Sequence, residues 1–217
     1  MTHKQIRDQV VGWLGLQDAA VLDETQLVKD LIYQGTIDLL SRTRCVVRCV
    51  NLTTQAGVDT YTLDHGLLGL VEISNGSLPK ARRDQTDYAP AFTLIRADVL
   101  RLEPVPSTSG TVQVWAVVRP TQMVQDSDSP GMEQFGAIPD EYHDAIVTYA
   151  LWKASDYADD ASSQMGERYR VLYEGPDGRA GRLGQIRMLV NKRGTARAPR
   201  RRATMPRYVH THDHWVG

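Results

Sequence analysis

The chain is poor in cysteine and nearly without phenylalanine. Cys45 and Cys49 are its only cysteines in 217 residues, inside the β-branched run "RCVVRCVN". Four positions apart on a strand, they share a face but stand ~13 Å apart by strand rise, too far for a disulfide. No second pair exists to complete a zinc site. Both read as thiols of a reducing compartment. Two phenylalanines stand against nine tyrosines and four tryptophans, and aromatic rings with a polar handle suit half-buried surfaces and interfaces. No apolar run approaches the ~18 residues of a membrane span, and "MTHKQIRDQVVGWL" lacks a signal-peptide layout. These absences imply a cytoplasm-like setting. A chain of this length can bury roughly 70% of its unfolded surface, so no covalent staple is required.

Acidic residues are also missing, but only from one end. From Arg179 to Arg207 there are ten basic residues and no acid. Asp213 is the one acid beyond, which leaves 25 acids against 15 bases before Arg179. An acidic body therefore carries a basic tail, and such separation points to an anionic partner for the tail.

What is present begins with helices. Thr2 is placed to cap a first helix with Ile6, Val10 and Trp13/Leu14 on one face. A second helix starts near Asp23, with Gln26 three residues on, and shows Leu27, Val28, Leu31, Ile32 and Leu39 as its apolar side. It should end by "SRTR", where basic residues meet the carbonyl end of the helix dipole. At Cys45 the texture changes to six or seven short strands running to about residue 119. Leu100 and Leu102 alternate with Arg101 and Glu103, and Val112 and Val114 with Thr111 and Gln113, as half-buried antiparallel strands require. "TQMVQDSDSPGMEQFG", Thr121 to Gly136, has no periodicity and reads as a long loop of the functional or mobile kind.

"IPDEYHDAIVTYALW" crowds Asp140, Glu141, His143 and Asp144 into five positions. They suit an acid–base constellation, but helix chemistry explains them better. Pro139 fits the first helical position and the carboxylates sit beside exposed N–H groups at the positive end of the dipole. His143 lies among polar neighbours, without the partner and pocket that a general base needs. Tyr142, Ala145, Tyr149 and Trp152 form one stripe; Ile146, Ala150, Ala154, Tyr157 and Ala161 form another. A helix apolar over so wide an arc packs on two sides. The pattern carries it through Met165 to Tyr173, with a stop at Gly175-Pro176.

The chain thus divides into N-terminal bundle helices (1–44), an inserted antiparallel β domain (45–120), a long loop (121–137), a long bundle helix (138–175) and an extended basic C-terminal arm (176–217). The fold class is α+β, a helical bundle with an inserted antiparallel β domain. Within the arm, "IRMLV" suits a short helix or a strand, and "KRGTARAPRRRATMPR" has the composition of a segment disordered on its own. His210, His212 and His214 alternate in "HTHDHW", but nothing orients the rings as a second shell would. No metal, cofactor or catalytic residue is expected. Tyr208, Val209 and Trp215 suit anchoring in a neighbour's groove.

Three stretches carry a resemblance: "FTLIRADVLRLEPVP", a strand pair closing in Pro-x-Pro; "GTVQVWAVVRPTQM", a return strand ending in Arg119-Pro120; and "IPDEYHDAIVTYAL", a Pro-led helix. In this order they resemble the head-to-tail connector adaptors, or head completion proteins, of tailed bacteriophages, over roughly residues 20 to 175. The resemblance implies a non-enzymatic virion-neck protein assembled in the host cytoplasm. It implies a ring of twelve copies under the portal, a channel extended for DNA and a platform for tail or nozzle proteins. The C-terminal arm would reach the portal. The residues expected to meet portal or DNA are Arg179, Arg182, Arg187, Lys192, Arg193, Arg197, Arg200, Arg201, Arg202, Arg207, Tyr208 and Trp215. Those expected to pack subunits are Tyr142, Ile146, Tyr149, Trp152 and Tyr157. The competing expectations are a nucleic-acid-binding module working through its arginine tail, or another phage neck or tail component.

Overall fold

The computed structural model describes residues 1–14, 24–63, 66–74, 79–82, 91–155, 163–176 and 181–197. Helix α1 is His3–Leu14. Its start is a reciprocal capping box: the Gln5 N–H donates to Thr2 Oγ1 (3.3 Å) and the Thr2 N–H to Gln5 Oε1 (2.8 Å). Helix α2 is Glu24–Thr43 and stops where the sequence suggests. Arg44 takes a left-handed conformation (φ 52°), and its N–H returns to the Leu40 carbonyl at 2.9 Å, closing the helix end.

Seven strands follow: β1 Arg48–Thr54, β2 Thr60–Thr62, β3 Leu67–Ser74, β4 Pro79–Arg82, β5 Ala91–Arg96, β6 Val99–Glu103 and β7 Gly110–Val118. They are ordered β1-β7-β3-β4-β5-β6-β2. Every pair is antiparallel except β4–β5, which is parallel and joins the two antiparallel groups. Alternation decides the faces: Leu52, Val112, Val114 and Ala116 point inward with Leu70, Ile73, Phe92, Leu100 and Leu102 to make one core.

The second core is helical. Ile6 and Val10 of α1 and Val28, Leu31, Ile32, Leu39 and Leu40 of α2 meet Tyr142, Ile146, Ala150 and Tyr173. Val117, on the opposite face of β7 from Val114, belongs to this cluster and joins sheet to bundle. Trp13 departs from the sequence expectation. It shares the Ile6 side of α1, but it stands 65% exposed at the far end of the helix.

The loop after β7 is built rather than loose. Asp128 Oδ2 accepts the N–H groups of Val124 (2.8 Å) and Gln125 (2.7 Å). The carbonyls of Asp128 and Asp126 then accept the His3 and Lys4 N–H groups at 2.6 and 3.2 Å. Those are the first helical donors of α1, which have no partner within their own helix. Arg7 adds a 2.8 Å ion pair to Asp126. The aperiodic segment is therefore a strap that docks α1.

The helix expected over 138–175 is two helices. A 3₁₀ turn, Asp140–Tyr142, leads into α3, His143–Ser155; α4 is Ser163–Glu174. The rings of Tyr149 and Tyr173 lie 5.4 Å apart, whereas 24 residues of continuous helix would separate them by ~36 Å. The chain folds back, so the wide apolar arc that suggested a two-sided long helix is covered within the chain by α1, α2 and α4. Helix α4 ends as the Gly-Pro signal requires: Gly175 takes φ 88° and its N–H closes on the Val171 carbonyl (2.8 Å).

Residues Arg182–Arg197, placed in the extended arm by composition, form helix α5. Leu183 and Ile186 are buried against the bundle and Val190 packs at its edge, an i, i+3, i+7 stripe that the surrounding bases obscure. Arm residues 198–217 lie outside the described residues.

Candidate partner-binding surfaces

Helix α5 fixes where the basic segment leaves the body. Gly181 touches the end of α4 so closely that a Cβ would stand 2.3 Å from the Gly175 nitrogen and 2.5 Å from the Tyr173 carbonyl oxygen. Only glycine lets the two backbones approach like this. Arg187 Nε donates to the Arg42 carbonyl at 3.0 Å, satisfying a carbonyl at the C-terminal end of α2. Arg182 lies 3.8 Å from Asp144 at the first turn of α3. Of the bases expected to meet a partner, Arg182 and Arg187 thus have structural work within the chain, and Lys192 is on the exposed side of α5. Arg193 and Arg197 lie on its last two turns. Arg179, Arg200, Arg201, Arg202, Arg207, Tyr208 and Trp215 lie outside the described residues, as do His210, His212 and His214.

The expected subunit-packing residues separate by burial. Tyr142 and Ile146 are buried in the chain's own core. Tyr149 and Trp152 are half-buried and stack edge-on at 5.8 Å, and Trp152 meets Tyr173 at 6.2 Å. Lys153 Nζ sits 3.9 Å over the Trp152 ring. Tyr157 lies outside the described residues. Beneath the cluster runs a polar seam. Tyr173 Oη donates to Asp38 Oδ2 at 2.7 Å, and Arg42 donates to Glu174 Oε1 at 2.7 Å while facing Asp38 at 3.6 Å. Burial and the Asp38 charge push the Tyr173 phenol well above its usual range.

The cluster around His143 differs from its sequence reading. The ring has polar neighbours, as the sequence suggests, but it is fully buried rather than on the surface. The 3₁₀ turn before α3 turns it inward. The Met1 ammonium donates to Nδ1 (2.9 Å), and Nε2 stands 3.0 Å from the Ile138 carbonyl. With Nδ1 accepting, Nε2 carries the proton. Burial holds its pKa below the usual histidine value. The helix-start explanation accounts for the carboxylates: Asp140 and Glu141 occupy the 3₁₀ turn and Asp144 the first turn of α3. Sequence reasoning missed His3, a second fully buried imidazole, because a histidine at a helix start carries no burial signal. Cys45 is half-buried, its thiol pushed up in pKa by burial, and Cys49 is exposed; both are free. Among the described residues no group of His, Cys, Asp and Glu is placed to hold a metal, and no helix is long and apolar enough to cross a membrane.

The described surfaces are those of a protein that displays a pinned basic helix and an aromatic helical face on an α+β body. The model of the SU10 adaptor protein family matches residues 1–204, so the chain belongs to this family of phage head-to-tail adaptors. The match takes in α1 and the arm as far as Thr204, wider than the 20–175 over which the motifs carry the resemblance. No curated protein matches the chain. The family is a structural one and not an enzyme class, and it implies a place in the virion neck with portal and tail proteins as neighbours.

Proposed function

We propose that the protein closes into a ring beneath the portal, extends the DNA channel and offers the platform on which the tail docks. In this reading the helical segments (1–44 and 138–175) and the sheet segment (45–120) act as two units of one adaptor. The basic stretch beyond α5 docks on the portal, and twelve copies multiply contacts that are weak singly. The observation that carries the reading is the pinning of α5 by Leu183, Ile186 and Arg187. Every copy in a ring would then launch its arginines from the same point and in the same direction. The arginine fork suits carboxylate and phosphate alike, so acidic portal surface and packaged DNA are both chemically fit to receive Arg200, Arg201 and Arg202. An acidic body facing a channel would let DNA slide rather than stick.

The test is mass analysis of mixtures with portal protein across a salt series. The chain Met1–Gly217 is expected to associate as a multiple of one copy. Protein ending at Arg197 keeps every member of both cores and is expected to lose the association. Portal binding that survives the deletion would remove the arm from the interface. Failure of the full chain to bind portal at any salt would remove the reading. DNA binding lost on the same deletion, without any portal association, would favour the nucleic-acid-binding alternative, with the steep salt dependence of phosphate contacts.

A further inference from the structure

Two parts of the chain have no role in the fold or function described so far. One is the outer edge of β1. This strand is one end of the seven-stranded sheet, and among the described residues no strand pairs with its second side. Edge strands are usually kept from pairing by being short, charged, bulged or broken by proline. The other end of the sheet follows that rule, since β2 has three residues. β1 does not. It has seven residues and no proline, and its register with β7 runs unbroken from Arg48–Ala116 to Thr54–Gly110. Arg48 is its one charge, at the first position, and that guanidinium donates to the Glu133 carbonyl. The exposed side chains along it, Cys49, Asn51 and Thr53, are short and uncharged, and Trp115 stands 39% exposed opposite Cys49. The other part is Tyr208–Val216, "YVHTHDHWV", which lies outside the described residues and beyond the end of the family match. Five of its nine residues (Tyr208, Val209, Thr211, Trp215 and Val216) are aromatic or β-branched, the types that strands favour, and with neutral histidines Asp213 is its only charge.

We infer that Tyr208–Val216 pairs with the free edge of β1 in the same chain, as an eighth strand of the sheet. Its main-chain groups fill the open side of the ladder, and its nearly uncharged side chains fit beside Cys49, Asn51 and Thr53. The body of the protein brings the two together. Helix α5 starts at the end of α4 and meets the end of α2, where Arg187 donates to the Arg42 carbonyl. Val190 then packs against the cluster that also holds Cys45 and Val46, the residues that lead into β1. Arg48 is six residues past Arg42, no more than ~22 Å away, and the left-handed turn at Arg44 brings it nearer. Ten residues, 198–207, link α5 to Tyr208. They span up to ~33 Å, enough to return past the ~15 Å of α5 beyond Arg187 and reach β1. A tether this short gives the segment an effective concentration on the order of mM at its own edge, which favours the same chain over a second copy in dilute solution. Held at both ends, the stretch between α5 and Tyr208 becomes a loop with Arg200, Arg201 and Arg202 near its middle, rather than a tail. Tyr208 and Trp215 then belong to the chain's own sheet and not to the portal-facing set. The pairing goes beyond the ring reading and does not depend on it.

Cys49 is a native probe on this edge, exposed and free. In a chain carrying Cys45→Ala, each position from 208 to 214 is changed in turn to cysteine. Disulfide formation with Cys49 is then followed by mass, under mild oxidation of dilute protein. Adjacent strands bring opposed side chains within ~4.5–5.5 Å and turn alternate positions to opposite faces. The yield is therefore expected to peak at one position and to be about tenfold lower at the positions immediately before and after it. A yield that is flat along the segment, or disulfides that form only between chains, overturns the pairing. A second measurement needs no substitution. A chain ending at Arg207 keeps both cores and every arginine of the arm. Its outward-facing β1 amides are expected to exchange about tenfold faster than those of Met1–Gly217, as the loss of one hydrogen bond per amide would produce. Equal exchange in the two chains overturns the pairing as well. Neither measurement uses portal protein, so a failure here is distinct from a failure of the ring reading, which portal association alone decides.

Discussion

The phenol of Tyr173 donates a 2.7 Å hydrogen bond to Asp38, tying the last turn of α4 to the C-terminal third of α2. The acceptor is charged and shared with Arg42, and the Tyr173 ring is fully buried. Hydrogen bonds to charged groups contribute about 1.5–3 kcal/mol. Tyr173→Phe keeps the ring and removes the bond, so it is expected to cost about 1–2 kcal/mol, at the low end because Asp38 is part-exposed. Tyr173→Ala adds a cavity and is expected to cost about 3–5 kcal/mol. Urea unfolding curves measure both. A Tyr173→Phe protein as stable as the parent would show that the bond contributes nothing.

Gly35 lies under Tyr149. A Cβ there would stand 2.9 Å from the ring and 3.3 Å from the Tyr149 Cβ. In a free helix Gly→Ala gains about 1 kcal/mol; here overpacking costs ~1–3 kcal/mol against a ring already fixed between Trp152 and Tyr173. The clash is expected to win, lowering the melting temperature, and the double change Gly35→Ala with Tyr149→Leu should recover part of the loss. A Gly35→Ala protein that melts higher than the parent would show that the ring yields freely.

Helix α5 should behave as part of the body. Leu183 is fully buried at its start, and Leu183→Ala is expected to cost about 2–5 kcal/mol. Hydrogen exchange would show the loss across α5 together with the end of α2, since Arg187 couples the two. Fast exchange of α5 amides in the parent protein would instead mean that the helix is not held.

Much of this architecture is legible in the residues, for local reasons. Alternation in "VLRLE" and "TVQVWAVV" locates strands because a two-residue period has one physical solution when one face is buried. Gly175-Pro176 locates the end of α4 in the same way. Three features are not legible. The break between Ser155 and Ser163 is hidden because both helices keep apolar residues at helical spacing across it. Helix α5 is hidden because three apolar positions are diluted among bases, and burial there depends on a bundle far away in sequence. The exposure of Trp13 is hidden because periodicity places it correctly on the Ile6 side of α1 but says nothing about where the supporting surface ends. Of the candidate partner surface, the charge separation is plain in the sequence, whereas the pinning through Gly181 and the Arg42 carbonyl is a tertiary fact.

The docking of α1 should loosen in mild acid. His3 is fully buried, and neither ring nitrogen has a hydrogen-bond partner among the described residues. Burial, with Arg7 and Lys29 nearby, holds its pKa below the ordinary 6.5, against the smaller opposing pull of Asp126 and Asp128. His143 is lowered by burial too. In the unfolded chain both imidazoles titrate at their ordinary value, so between that value and the lowered folded one the unfolded state binds more protons. The contribution of both groups to stability is therefore complete above about pH 6.5 and declines as the pH falls below it, toward the lowered folded values. Most carboxylates titrate nearer 4, so they contribute little over the interval from pH 7.5 to 5.5, and comparison with a histidine variant singles out the imidazole. Urea midpoints are expected to fall across that interval in the parent protein. The slope should be shallower in His3→Leu, which removes the titrating group but keeps an apolar side chain. Exchange of α1 amides should rise with acid before that of α2. Equal slopes for parent and variant would mean that the His3 pocket admits a proton without penalty, and that the backbone bonds and the Arg7–Asp126 pair from the strap hold α1 whatever the charge on His3.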